Sequence, residues 1–247
     1  MMKYFSWQIL LGLFLIILSA IFYLIHYAIF RDVHHIFIYL IGDIAFVFIE
    51  VMLVTLIIHQ LLDKREKRTK LNKLNMVIGT FFSEVGTDLM KSFIEFDVHI
   101  DKVRKNLMVA GHWSDHQFLE VNKSLMNYDF KIESQKGDVE ELKRFLIRKR
   151  DFLLRLLENP NLLEHEAFTN LLWAVFHLAE ELENRVDVKK LGDTDYAHIS
   201  GDMKRAYILL VSQWLNYMKH LKNDYPYLFS LAVRINPFDP NASPVVK

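Results

Sequence analysis

The stretch from Ile36 to Leu62 is almost wholly apolar, yet it carries Asp43 and Glu50. As a helix rising about 1.5 Å per residue, it is long enough to cross a hydrocarbon layer of about 30 Å. Seven residues make nearly two turns, so the two carboxyl groups share one stripe, about 10 Å apart along the axis. Neither is near enough to an end to reach lipid headgroups. Two central acids cost about 2.5–3.5 kcal/mol each on insertion scales, whereas about eighteen apolar neighbours return about 0.3–0.6 kcal/mol each. The span is therefore expected to insert with its acids.

A second apolar run, Tyr4 to Phe30, precedes it, with only Arg31, Asp32, Val33, His34 and His35 between them. A connector that short makes the spans antiparallel neighbours. The first run has about twice the apolar length of a secretory signal, and no A-x-A-like cleavage site follows, so it is expected to be retained. Ser19, Tyr23 and His26 fall at i, i+4 and i+7 and form one polar stripe. Tyr23 comes to the depth of Asp43 and is expected to hydrogen-bond to it. Glu50 lies level with Ile16 and has no polar partner within the hairpin.

Lys64, Arg65, Lys67, Arg68, Lys70 and Lys73 crowd beyond the second span, against Arg31 alone in the connector. That asymmetry places both termini in the cytoplasm. The same cations suit anionic headgroups at about 1 kcal/mol each, although a basic flank is also the ordinary topology signal.

Downstream the chain becomes polar and helix-like. Thirty basic and thirty acidic residues leave no net charge, which argues against nucleic acid as a partner. The absence of cysteine excludes disulfides, thiolate metal sites and cysteine nucleophiles. Eight glycines and five prolines, three of these in the last eleven residues, describe an all-helical chain with an irregular tail. The expected organisation is a transmembrane hairpin over 1–62, a basic juxtamembrane segment over 63–73, a cytosolic helical bundle over 74–234, and an extended or disordered tail over 235–247.

Within the bundle, apolar residues from Leu74 to Leu107 recur at three and four, and no strong breaker interrupts them. Gly79 and Gly86 weaken this helix by about 1 kcal/mol each relative to alanine. Ser114 with Gln117 and Asp138 with Glu141 read as capping boxes. Asn159 and Pro160 open the next helix, which includes Glu164 to Arg185. A polar loop follows over Val186–Ile199, then a helix from Ser200 or Asp202 to Leu221, and a short one over Tyr225–Arg234. Trp173, Trp214, Tyr207 and Tyr217 sit at core spacing.

Chemistry-bearing patterns are sparse. His177 and Glu181 form an i, i+4 pair that could serve a metal, but the Glu-x-x-His spacing of di-iron bundles does not occur. They share the polar side of their helix and read first as a solvated face or a polar helix contact. His165-Glu166 begins a zinc-protease signature that Thr169 breaks. Glu95, His99, His112 and His116 match no metal template. Arg144, Arg148 and Arg155 could receive a phosphate, but a stripe balanced by Glu140, Glu141 and Asp151 is the simpler expectation. No catalytic signature appears, and no cofactor is expected.

Two helices cannot enclose a pore, so any role for the intramembrane acids requires a homo-oligomer in the bilayer. The first functional expectation is an oligomeric cation or proton pathway along Asp43 and Glu50. The alternative is a membrane-anchored regulatory module whose bundle binds a cytosolic protein, with the acids serving assembly alone. A helical-bundle metalloenzyme is the more distant possibility.

Overall fold

The computed structural model describes residues 7–162 and 165–246. The expected start of the first span at residues 4–6, and of one bundle helix at Glu164, lies outside them. The described chain is all-helical, with one isolated β-bridge, Asp97 to Ile132, and no strand. It divides into two compact units, residues 1–67 and 68–247.

In the first unit, α1 runs from Trp7 to Phe30 and α2 from Val33 to Phe81. Two residues connect them, where five were expected. Arg31 turns the chain in the left-handed region at φ 49°, and its N–H closes the last turn of α1 on the Tyr27 carbonyl at 2.8 Å. The Asp32 carboxylate then accepts from the N–H groups of His34 and His35 at 2.9 and 3.3 Å. That cap draws the two histidines into α2, although their polarity suggested a connector. No residue of α1 is buried, nor is any residue in the apolar windows of the two helices. By length and composition, both helices could cross a membrane.

The second unit is a helical bundle. α2 carries Leu74, Ile78 and Phe81 into its core, after which Phe82–Gly86 forms a π-helical turn. The turn closes with the Thr87 N–H and hydroxyl both donating to the Phe82 carbonyl. α3, Thr87–Phe96, follows directly. The helix expected to reach Leu107 stops here for a tertiary reason. Phe96, Asp97 and Val98 align with Lys131–Glu133, exchanging Val98 N–H to Lys131 O at 2.9 Å and Glu133 N–H to Phe96 O at 3.1 Å. Asp97 is buried and caps the His99 N–H, and Lys136 donates to its carbonyl. Burial pushes the Asp97 carboxyl above the usual carboxylate range. A short α4, Ile100–Arg104, then continues as a 3-10 turn to Leu107.

α5, Asp115–Met126, opens with a complete capping box. The Ser114 hydroxyl accepts from the Gln117 N–H at 3.2 Å, and the Gln117 side chain accepts from the Ser114 N–H at 2.7 Å. Ser114→Ala should therefore cost about 1 kcal/mol, lowering Tm by about 2–4 °C in a thermal melt. An unchanged melting temperature would mean the cap is idle.

α6, Val139–Leu157, is capped at Asp138, but its box is incomplete because Glu141 reaches forward to Arg144 instead. After a 3-10 turn over Pro160–Leu162, α7 runs from Glu166 to Glu183. His165 is its cap, its Nδ1 accepting from the Phe168 N–H. α8, Asp193–Asp224, is the longest helix confined to this unit and begins well before the expected Ser200, with Gly192 as its N-cap. Its buried face, including Met203, Tyr207, Leu210, Trp214, Met218 and Leu221, contacts α3, α5, α7 and α9, Pro226–Arg234; α7 also packs on α6.

Two further expectations are corrected. Trp173 stands outside the core at 57% exposure, whereas Tyr207 and Trp214 are buried and Tyr217 is half-buried. The segment beyond Arg234 is irregular but anchored. Phe238 is fully buried with its ring 5.3 Å from Trp214, and the buried Asn236 donates to the Leu107 carbonyl.

Candidate functional site

Two polar constellations interrupt this apolar architecture, one in each unit. Between α1 and α2 lies a cleft of about 790 Å³. From α1 it takes Ser19, Tyr23 and His26, and from α2 it takes His35, Tyr39 and Asp43. The α2 trio falls at i, i+4 and i+8, matching the stripe on α1. Reading back from Asp43 at helical spacing could have found it, had His35 not been assigned to the connector.

The imidazoles of His26 and His35 stack across the turn with centroids 5.5 Å apart and planes 11° from parallel. The Nδ1 atoms of both are buried without a hydrogen-bond partner. Tyr23 and Asp43 face the same cleft, but no hydrogen bond joins them, contrary to expectation. Glu50 does not line it and stands exposed. Lys64, Arg65, Lys67, Arg68, Lys70 and Lys73 all lie along α2 with solvent-facing side chains.

The second constellation joins α7 to α8. His177 and Glu181 meet His198 and Asp202, a second i, i+4 pair that the sequence reading missed because it placed residues 186–199 in a loop. The His177 Nε2 lies 3.8 Å from Glu181 Oε1 and 3.6 Å from Asp202 Oδ2. The His198 Nε2 lies 3.3 Å from the same Asp202 oxygen and 3.6 Å from Glu181 Oε2.

Two guanidiniums orient these carboxylates. Arg185 donates to Glu181 Oε2 at 2.6 Å and forks onto Asp195 at 2.6 and 3.0 Å. Its hydrogen bonds, and behind them its charge, hold both acids below their ordinary range, and they in turn push Arg185 up, Asp195 most strongly. Arg205 donates to Asp202 Oδ1 at 3.0 Å.

The other sequence candidates resolve more simply. Arg144 and Arg148 share the Glu141 carboxylate at 2.7 and 3.6 Å on an exposed face. His116 pairs with Glu120 rather than with His112 or His99. Among the described residues, His177, Glu181 and Asp202 form the one trio whose ligand atoms all lie within 4.8 Å of one another.

Known proteins relate to both units. Residues 3–62 match the family model "MJ1433, N-terminal helical domain", and residues 70–234 match "Uncharacterized protein MJ1433, C-terminal helical domain". The "Uncharacterized protein MJ1433" of Methanocaldococcus jannaschii is 50% identical over 233 residues, which cover 94% of each chain. No solved structure matches. With both helical domains matched and half of the aligned residues identical, the chain belongs to the MJ1433 family.

Proposed function

We propose that the protein is an integral membrane protein that spans the bilayer twice through α1 and the apolar part of α2, with both termini in the cytoplasm. It assembles as a homo-oligomer, and its cleft residues conduct a cation or a proton. One observation carries this reading: six polar side chains, three from each helix, converge on a single cleft, while the hairpin surface outside it is mostly apolar and unburied, Glu50 being the acidic exception. Lipid is the environment that satisfies such a surface without a partner at every position.

Carboxylate, phenol, hydroxyl and imidazole groups offer either oxygen ligands or a relay of proton carriers over about 12 Å of helix, from His35 to Asp43. A cleft between two helices is open on one side, so a second copy is needed to close a route. The basic residues beyond the span then lie among the cytoplasmic headgroups.

Purified protein in liposomes tests the proposal through cation and proton flux. The wild type is expected to conduct, with Asp43→Asn lowering the rate about tenfold or more and Glu50→Gln lowering it less, since only Asp43 lines the cleft. A silent wild type, or flux untouched by both substitutions together, overturns the pathway.

The exposed Trp173, set edge-on to Phe176 beside the Arg150 guanidinium, favours a second reading. In it the hairpin anchors a regulatory bundle that binds a cytosolic protein. That reading expects no flux, and an oligomer that weakens when Asp43 is neutralised.

A further inference from the structure

We infer that the α7–α8 cluster is a binding site for a divalent transition cation of the zinc class, with His177, His198, Glu181 and Asp202 as ligands. This inference is independent of the hairpin and stands or falls separately from conduction.

Each carboxylate is pinned by an arginine through one oxygen and presents the other: Glu181 gives Oε2 to Arg185 and keeps Oε1, while Asp202 gives Oδ1 to Arg205 and keeps Oδ2. The Asp202 Oδ2 is buried with no hydrogen-bond partner, in a side chain only 3% exposed, and faces both imidazoles. Leaving such an atom unpaired costs about 1–3 kcal/mol, so a native chain retains it against a compensating interaction.

The spacing fits a metal shell. Ligands about 2.0–2.2 Å from a tetrahedral zinc stand about 3.3–3.6 Å from one another. The separations of 3.3, 3.6 and 3.8 Å between imidazole nitrogens and the free oxygens match that scale within a few tenths of an ångström. His198 lies outside the trio of His177, Glu181 and Asp202 and approaches the site through Asp202 Oδ2, at 3.3 Å.

Charge balance agrees. The carboxylates of Glu181, Asp202 and Asp195 outnumber the guanidiniums of Arg185 and Arg205, so neutral imidazoles leave the cluster negative. The donor set of nitrogen and oxygen without sulfur suits zinc, manganese or ferrous iron, whereas calcium and magnesium favour oxygen alone. His177 and His198 are half-exposed, so an ion can enter from solvent.

The test uses the full chain in detergent, stripped with chelator and titrated with Zn²⁺, with Mg²⁺ as control. The expected result is one zinc per chain at this site with a rise in melting temperature, and no response to Mg²⁺. His177→Ala and His198→Ala should each weaken that zinc about 100-fold or more, since even outer-shell losses cost about 10–100-fold. Melting of the metal-free variants reports whether they fold. The chain has eleven histidines, so binding alone does not decide. Zinc that binds equally well to both folded variants, an equal response to Mg²⁺, or no bound zinc overturns the site.

Discussion

Phe81→Ala is expected to lower the stability of the bundle by about 3–5 kcal/mol. Phe81 ends α2 and is fully buried, its ring set edge-on to Phe82 at 5.3 Å and to Phe168 of α7, also at 5.3 Å. Truncation removes the aromatic transfer energy, breaks both edge-on pairs and leaves a cavity among buried side chains that cannot easily collapse. The check is denaturant unfolding followed by tryptophan fluorescence, since Trp214 sits in the same core. A loss below about 1 kcal/mol would mean that the α2–α7 contact is not part of the core.

Gly86→Ala should also destabilise, by about 1–3 kcal/mol, despite a helix propensity that favours alanine by about 1 kcal/mol. An added methyl would stand 2.6 Å from the Phe82 ring and 2.8 Å from the Phe81 ring, both buried. Gly86 closes the π-helical turn, so its missing side chain is what lets the two aromatics fold over the backbone. The two substitutions share a partner and should not add: in the Phe81→Ala background, Gly86→Ala should cost less than it does alone. Equal costs in both backgrounds would separate the glycine from the ring. A gain of stability from Gly86→Ala alone would show that propensity rules the position.

Glycine was legible at this position only as a weakness in a helix, because a packing reason needs the neighbours. The same limit explains where reading residues succeeded and where it did not. Apolar spacing from Leu74 onward specified a buried helical face, and Leu74, Ile78, Phe81, Val85, Leu89, Phe93 and Phe96 are all buried. The end of α3 was not legible, since Asp97 and Val98 are ordinary helical residues. What stops the helix is a pairing with residues 131–133, more than thirty positions away.

The start of α8 was hidden for a local reason. Asp193, Thr194, Asp195 and His198 look like loop residues, yet acids after a Gly192 cap belong in a first turn. Misplacing that start left His198 in a loop, apart from Asp202, and so hid the likeness of this pair to His177–Glu181. On the hairpin, the stripe of Ser19, Tyr23 and His26 was visible from its period. Its counterpart from His35 to Asp43 was not, because the cap at Asp32 pulls the helix start toward the turn.

Phe238 gives the C-terminal segment a part in the timing of folding as well as in its end state. Its ring completes the packing over Trp214, and Asn236 anchors that segment to the Leu107 carbonyl far upstream in the chain. During synthesis the pocket over Trp214 stays unfilled until Phe238 has emerged. A bundle lacking Phe238 would therefore present that indole and be the more prone to aggregate.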